Sequence, residues 1–126
     1  MLIRGDIMET KKFEAEYTYD FHLDVVNIEI KKEYVHKKSI DLAFGVFLDF
    51  DDNCLPVNLE IVSASKIIGV EKESLVNPDG DVTIVIGEDL VKVDVAFKFK
   101  DNDECLHLTA LNDFDFPMSQ TSFALV

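Results

Sequence analysis

The stretch that decides the fold is Val91-Lys92-Val93-Asp94-Val95-Ala96-Phe97-Lys98-Phe99-Lys100. Val91, Val93, Val95, Phe97 and Phe99 share one parity, and Lys92, Asp94, Ala96, Lys98 and Lys100 share the other. Successive side chains of a strand point to opposite faces, so strict alternation describes a ribbon with one dry face and one wet face. A helix would scatter the same five apolar side chains around its circumference. Valine adds to the argument, because its branched Cβ suits a pleated surface better than a helical one.

The same alternation extends in both directions. Downstream, Asp101-Asn102-Asp103-Glu104 reads as a turn, and Leu106, Leu108 and Ala110 return opposite His107 and Thr109. The tail from Asn112 to Val126 carries Phe114, Phe116, Phe123 and Leu125 and is expected either to add a last strand near Thr121 to Leu125 or to dock on a neighbouring molecule, with Ser122 to Val126 a candidate for pairing across a dimer. Upstream, Val82, Ile84 and Ile86 alternate up to the turn Gly87-Glu88-Asp89. Between Ser63 and Leu75 the alternation stops. A short helical segment is expected at about residues 64–76, capped by Ser63 or Ser65 and divided at Gly69. Asn77-Pro78-Asp79-Gly80 ends it with turn chemistry.

Further upstream, Leu42, Phe44, Val46, Leu48 and Phe50 read as one inward row of a single strand with Gly45 inside it. Asp51-Asp52-Asn53-Cys54 is a turn, and Leu55, Val57, Leu59 and Ile61 form the return row. Pro56 lacks an N–H, which suits a strand start or an edge. Lys31 to Ser39 reads as polar loop, with Tyr34 and Val35 as an alternative strand start. Phe13, Ala15, Tyr17 and Tyr19 pair with Val26, Ile28 and Ile30 across the turn from Asp20 to Asp24.

These readings give a mainly β, β-rich α+β domain over residues 1–126. Seven or eight mostly antiparallel strands are expected in a curved sheet, sandwich or small barrel, with the helical segment covering an opening. The expected core holds Tyr17, Val26, Ile28, Phe44, Val46, Leu48, Leu59, Ile61, Ile67, Ile84, Ile86, Val93, Val95, Phe97 and Leu108. Phe47, Val25 and Val85 fall on the wet parity, which suggests a second buried layer or a subunit interface.

Composition narrows the function. The chain has 126 residues, 48% hydrophobic, with 12 basic and 25 acidic side chains and a formal charge of −13. Residues 41–126 hold 5 basic and 17 acidic side chains, a net of 5 − 17 = −12. Such a surface repels phosphate backbones, so a nucleic-acid partner is not expected. Arg4 is the one arginine, which leaves little for bidentate recognition of phosphate. No apolar run approaches the roughly 20 residues that span a bilayer, so no membrane partner is expected. The apolar stretch in Met1-Leu2-Ile3-Arg4-Gly5-Asp6 is too short for a secretory leader. With two cysteines, Cys54 and Cys105, both read as lying in turns, a reduced cytoplasmic protein is the expectation.

Two blocks carry a resemblance. One is Tyr19-Asp20 followed by Asp24-Val25-Val26-Asn27-Ile28-Glu29-Ile30. The other is Gly45-Val46-Phe47-Leu48-Asp49-Phe50-Asp51-Asp52 followed by Leu55-x-Val57-x-Leu59-Glu60-Ile61-x-x-Ala64-Ser65. Together they resemble the small prokaryotic domain-of-unknown-function family twenty-two eighty-three over residues 17–66, with 77–126 as an extension carrying further hairpins. Asn27 stands where that family has Tyr, Asn53-Cys54 where its turn has Gly, and Asn58 where it has another Gly. The resemblance implies a prokaryotic, cytoplasmic protein. It brings no catalytic residues, and it points toward protein binding.

Chemistry-bearing patterns are sparse. Asp49-x-Asp51-x-Asn53 with Glu60 has the spacing of a calcium loop, as does Asn77-x-Asp79-x-Asp81 with Glu88. Both lack the glycine that bends such a loop, and both are flanked by strand patterns. Asp49, Asp51 and Asp52 stay as a candidate site for calcium or magnesium on an acidic hairpin turn; no other cofactor is expected. The chain contains no Cys-x-x-Cys, Gly-x-Gly or nucleophile elbow. The expected function is a non-catalytic protein-binding or self-associating module, its partner a second copy or another protein. Divalent-cation binding and a small enzyme with an acidic pocket are the alternatives.

Overall fold

A computed structural model describes residues 9–126. Met1 to Asp6, including Arg4, lie outside the described residues. Nine strands form one sheet: β1 (Thr10–Asp20), β2 (Val25–Ile30), β3 (His36–Ala43), β4 (Val46–Asp51), β5 (Pro56–Val62), β6 (Asp79–Ile86), β7 (Leu90–Lys98), β8 (Asp103–Leu111) and β9 (Ser119–Leu125). Their spatial order is β3-β4-β5-β2-β1-β9-β6-β7-β8, and the sheet curls into a nearly closed barrel. Neighbours are antiparallel except β1 and β9, which run parallel from Thr10↔Gln120 to Ala15↔Leu125. The final strand therefore inserts between β1 and β6 and joins the two halves of the chain into one ladder.

The deciding stretch is β7. Val91, Val93, Val95 and Phe97 are buried, and Lys92, Asp94 and Lys98 face out. The barrel interior is completed by the matching rows of the other strands, among them Ala15, Val26, Ile28, Leu48, Leu59, Ile61, Ile84, Ile86 and Phe123. One end is covered by helix α1 (Ala64–Ile68) and a 3-10 turn over Lys72–Leu75, with Gly69 in the left-handed region between them. Ala64, Ile68 and Leu75 are buried there. The connection from β8 to β9 closes the other end. Phe116 stacks on Phe50 with ring centroids 4.0 Å apart, and Asn112 fixes the segment through Gly87 O, Phe116 O and Phe116 N.

Several expectations need correction. The run from Leu42 to Phe50 is not one strand. Phe44 and Gly45 form a two-residue hairpin loop between β3 and β4, with φ of 50° and 90°. Two positive φ values suit the right-handed twist of the flanking strands, and Asn-Gly is the usual pair for them. Phe44 is consequently 90% exposed, not core. The segment read as loop before it supplies β3, which raises the strand count to nine. Tyr17, Ile67 and Leu108 pack against the core but are only half-buried. Cys105 lies within β8 and not in a turn. Ser63 makes no side-chain cap, and Ser65 bonds elsewhere.

Candidate functional site

A sheet that curls but does not close leaves two strands with one neighbour each. Here these are β3 and β8. Following the pairings round the sheet, they run antiparallel to each other, and their Cα atoms come within 8 Å. Yet no ladder joins them among the described residues. The two edges differ in kind. β3 carries Lys37 and Lys38 and has register shifts at His36/Lys38 and Asp41/Ala43, the usual guards against edge pairing. β8 has no lysine, proline or bulge, and its nine residues hold an unbroken register with β7 from Leu90↔Leu111 to Lys98↔Asp103.

The barrel core opens along this seam. The inward row is fully buried on β7, but on β8 the corresponding Glu104, Leu106, Leu108 and Ala110 are only half-buried. A cavity of about 490 Å³ lies at the helix end of the seam, walled by Phe44, Val46, Ile67, Leu106 and Leu108, with Lys66 on its wall. A second hollow of about 320 Å³ lies further along, between Ile40 and Asp41 of β3 and Ala110, Leu111, Asp113 and Phe114. Phe44 stands at the mouth of the first. A bulky residue in the left-handed region is an outlier costing roughly 1–2 kcal/mol, and here it holds an aromatic ring in water.

Helix α1, one wall of the cavity, is positioned by the β1–β2 turn, which lies beside it because β2 and β5 are paired strands with Val25 opposite Val62. Asp24 takes the left-handed region at the end of the β1–β2 turn, with φ of 58°. Its Oδ1 accepts the Ser65 N–H at 3.0 Å and the Tyr19 hydroxyl at 2.7 Å, and its Oδ2 accepts the Ser65 hydroxyl at 2.7 Å. The Ala64 N–H donates to Asp24 O at 2.8 Å. The helix is therefore capped by a carboxylate from another turn. Burial pushes the Asp24 carboxyl up, but the bonds from Tyr19 and Ser65 and the charge of Lys72 outweigh it and leave it below the ordinary 3.8.

The candidate cation ligands are not gathered. Asp49 accepts the Ser39 hydroxyl at 2.6 Å and the Asn58 amide at 3.0 Å on the outer face. Asp51 is buried, and its Oδ1 accepts the N–H groups of Asn53 and Leu55, which shapes the β4–β5 turn. Asp52 is exposed and donates its N–H to Val35 O. Among the described residues no three His, Cys, Asp or Glu side chains cluster for a metal. In the same turn Cys54 takes φ of 63°.

Two constellations were invisible in the sequence. His36, Ser39 and Asp49 lie together, with His36 Nε2 3.0 Å from Ser39 Oγ. The Ser39 hydroxyl, however, gives its proton to Asp49 and stands between the other two. Nucleophilic activation needs the imidazole in the middle, so the order is wrong for that chemistry. On β7 and β8, His107 Nδ1 lies 2.5 Å from Asp94 Oδ1 on the solvent face. Cys105 is exposed two residues away on the same parity. The register Asp94↔His107 creates that pair, and no local spacing announces it.

Three tyrosines are tied into the same framework. Burial raises the hydroxyls of Tyr17, Tyr19 and Tyr34 above their usual 10.0; hydrogen bonds to Asp24 and Glu29 add to this at Tyr19 and Tyr34. A folded-state value above the unfolded one gives stability that is complete below about pH 10 and lost as pH rises past it. Denaturant titrations at rising alkaline pH are expected to show midpoints that fall from about pH 10 upward. Tyr17→Phe, which loses the bond to Leu75 O, is expected to shallow that fall.

No family model, no curated protein and no solved structure matches this chain. Among the described residues no helix is long and apolar enough to cross a membrane.

Proposed function

We propose that this chain is a non-catalytic protein-binding module whose working surface is the open seam between β3 and β8. The observation that carries the reading is Phe44, held at 90% exposure in a strained backbone at the mouth of an apolar cavity. Strain of this kind persists where the surroundings impose it and gathers at working sites. Leu106 and Leu108 of β8, which are only half-buried, continue the apolar wall of the same cavity. The free thiols Cys54 and Cys105 fit a reducing, cytoplasmic setting. The resemblance over residues 17–66 supports the same reading, since its motifs carry no catalytic residues.

Phe44→Gly tests it. Glycine takes a positive φ without steric cost, and the lost ring is almost wholly in water. Thermal unfolding is expected to show a gain of about 0.5–1 kcal/mol in stability. Affinity capture from the source cells, quantified in parallel with wild-type and variant bait, is expected to lose the specific partner with the variant. A variant that is both more stable and binding-defective marks a position kept for function. An identical set of captured proteins with both baits would remove the seam from the account.

A further inference from the structure

We infer that the cavity at the helix end of the seam binds a small straight-chain carboxylate, with its alkyl chain on the apolar wall and its head group on Lys66 and Ser63. This goes beyond the protein-binding reading and does not depend on it. It also needs no gap between β3 and β8, because the cavity lies at the barrel end, beside α1 and the β3–β4 loop.

Shape points to a slender apolar body. Four elements wall the cavity: the β3–β4 loop with Phe44, β4 with Val46, α1 with Ile67, and β8 with Leu106 and Leu108. Ile67, Leu106 and Leu108 are only half-buried, so part of this wall still faces solvent. Covering it is favourable in proportion to the apolar area removed from water. A volume of about 490 Å³ falls in the range of small-molecule pockets, which favour the mouths of barrels. At about 30 Å³ for a water-sized group, there is room for a chain of about ten to twelve carbons.

The polar groups on the wall select the head group. Ser63 and Lys66 stand three residues apart in the first turn of α1, where the Lys66 N–H donates to Ser63 O, so their side chains lie on one face. Ser63 holds the cap position with φ of 54°, yet its hydroxyl makes no cap bond. Phe44 and Ser63 thus both bring left-handed backbone to the wall, and strain of this kind gathers at ligand sites. Lys66 has no ion-pair partner among the described residues, and no Asp or Glu lies on the cavity wall. His107 borders the cavity with its ring bonded to Asp94 on the solvent face. In a chain with 25 acidic and 12 basic side chains, an acid-free wall carrying a lysine is a local reversal of charge. A carboxylate accepts from the Lys66 ammonium and the Ser63 hydroxyl together. The overall charge of −13 penalises every further negative charge, so one carboxylate on an apolar body fits better than a phosphate.

Isothermal titration calorimetry of the whole protein with the straight-chain carboxylates from hexanoate to tetradecanoate, each below its micelle concentration, tests the assignment. Affinity is expected to rise by up to about fourfold per added CH₂ and to level off near about twelve carbons, when the cavity is full. Decanoate is expected to bind at least about tenfold tighter than decylammonium. That comparison sets the local lysine against the field of the whole chain, which favours the ammonium. Lys66→Gln, a change at an exposed side chain, is expected to weaken decanoate about fivefold and to leave decanol unchanged. Amide NMR shifts on binding are expected at Val46, Ile67, Leu106 and Leu108. Decylammonium binding as tightly as decanoate would overturn the inference. So would equal decanoate affinity in Lys66→Gln, an affinity that climbs without levelling off, or shifts confined to other residues. No saturable binding at any chain length would overturn it too, and would leave the protein-binding reading to be decided by partner capture with Phe44→Gly.

Discussion

Phe97→Ala is expected to destabilise the fold by about 3–5 kcal/mol, the usual cost of deleting a buried phenylalanine. Phe97 is 1% exposed on β7. Its ring meets Tyr17 edge-on at 6.5 Å and stacks on Phe99 at 5.6 Å. Removing it leaves a cavity walled by rigid strands, which cannot collapse as a loop would. Urea titration monitored by circular dichroism measures the loss. Phe44→Ala makes the same chemical change at a side chain 90% exposed. It is expected to shift stability by less than about 0.5 kcal/mol. Comparable losses at both positions would contradict the placement of the core.

Asp24→Ala is expected to cost about 2–4 kcal/mol, because the Ser65 N–H, the Ser65 hydroxyl and the Tyr19 hydroxyl all lose a charged acceptor. The sign of its pH dependence follows from the depressed carboxyl. The contribution is complete above the ordinary 3.8 and is lost as pH falls below it toward the folded value. Wild-type stability is therefore expected to drop in this acid range. The drop is expected to be smaller in Asp24→Ala, which has no carboxyl to protonate. Equal acid sensitivity in both would place the titrating group elsewhere. Because Ile67 on α1 walls the seam cavity, the variant is also expected to weaken capture of the partner.

The parts of the fold written in alternation were legible. Val91 to Phe97 is the inward row of β7, Val82 to Ile86 that of β6, and Gly69 does divide the helical segment. Each of these is a local pattern read by local rules. Phe44 failed for a definable reason. A two-residue hairpin alone shifts the inward row by one position, but the bulge between Asp41 and Ala43 adds a residue that restores it, so Leu42 and Val46 both face inward. The chain folds back while the apolar pattern runs on unbroken. Only Gly45 marks the turn, and phenylalanine before it disguised the signal that asparagine would have given. Strand β3 was missed because its lysines read as loop, although lysine is what an edge strand carries.

The site was less legible than the fold because it is made of register and closure. That β3 and β8 become the unpaired edges follows from β9 entering between β1 and β6, a long-range outcome with no local signature. The cap from Asp24 to Ser65 spans 41 positions. Acidic side chains drew the cation reading to Asp49, Asp51 and Asp52, but backbone geometry in the β4–β5 turn claims Asp51 and the outer-face network claims Asp49.

Amide hydrogen exchange followed by NMR on the isolated protein tests the open seam most directly. Alternate amides between Glu104 and Ala110 are predicted to exchange quickly, as on a free edge, while those of β7 next to it stay protected. Slow exchange at every amide from Glu104 to Ala110 would mean that β8 already has a partner on its second side, and would contradict the account.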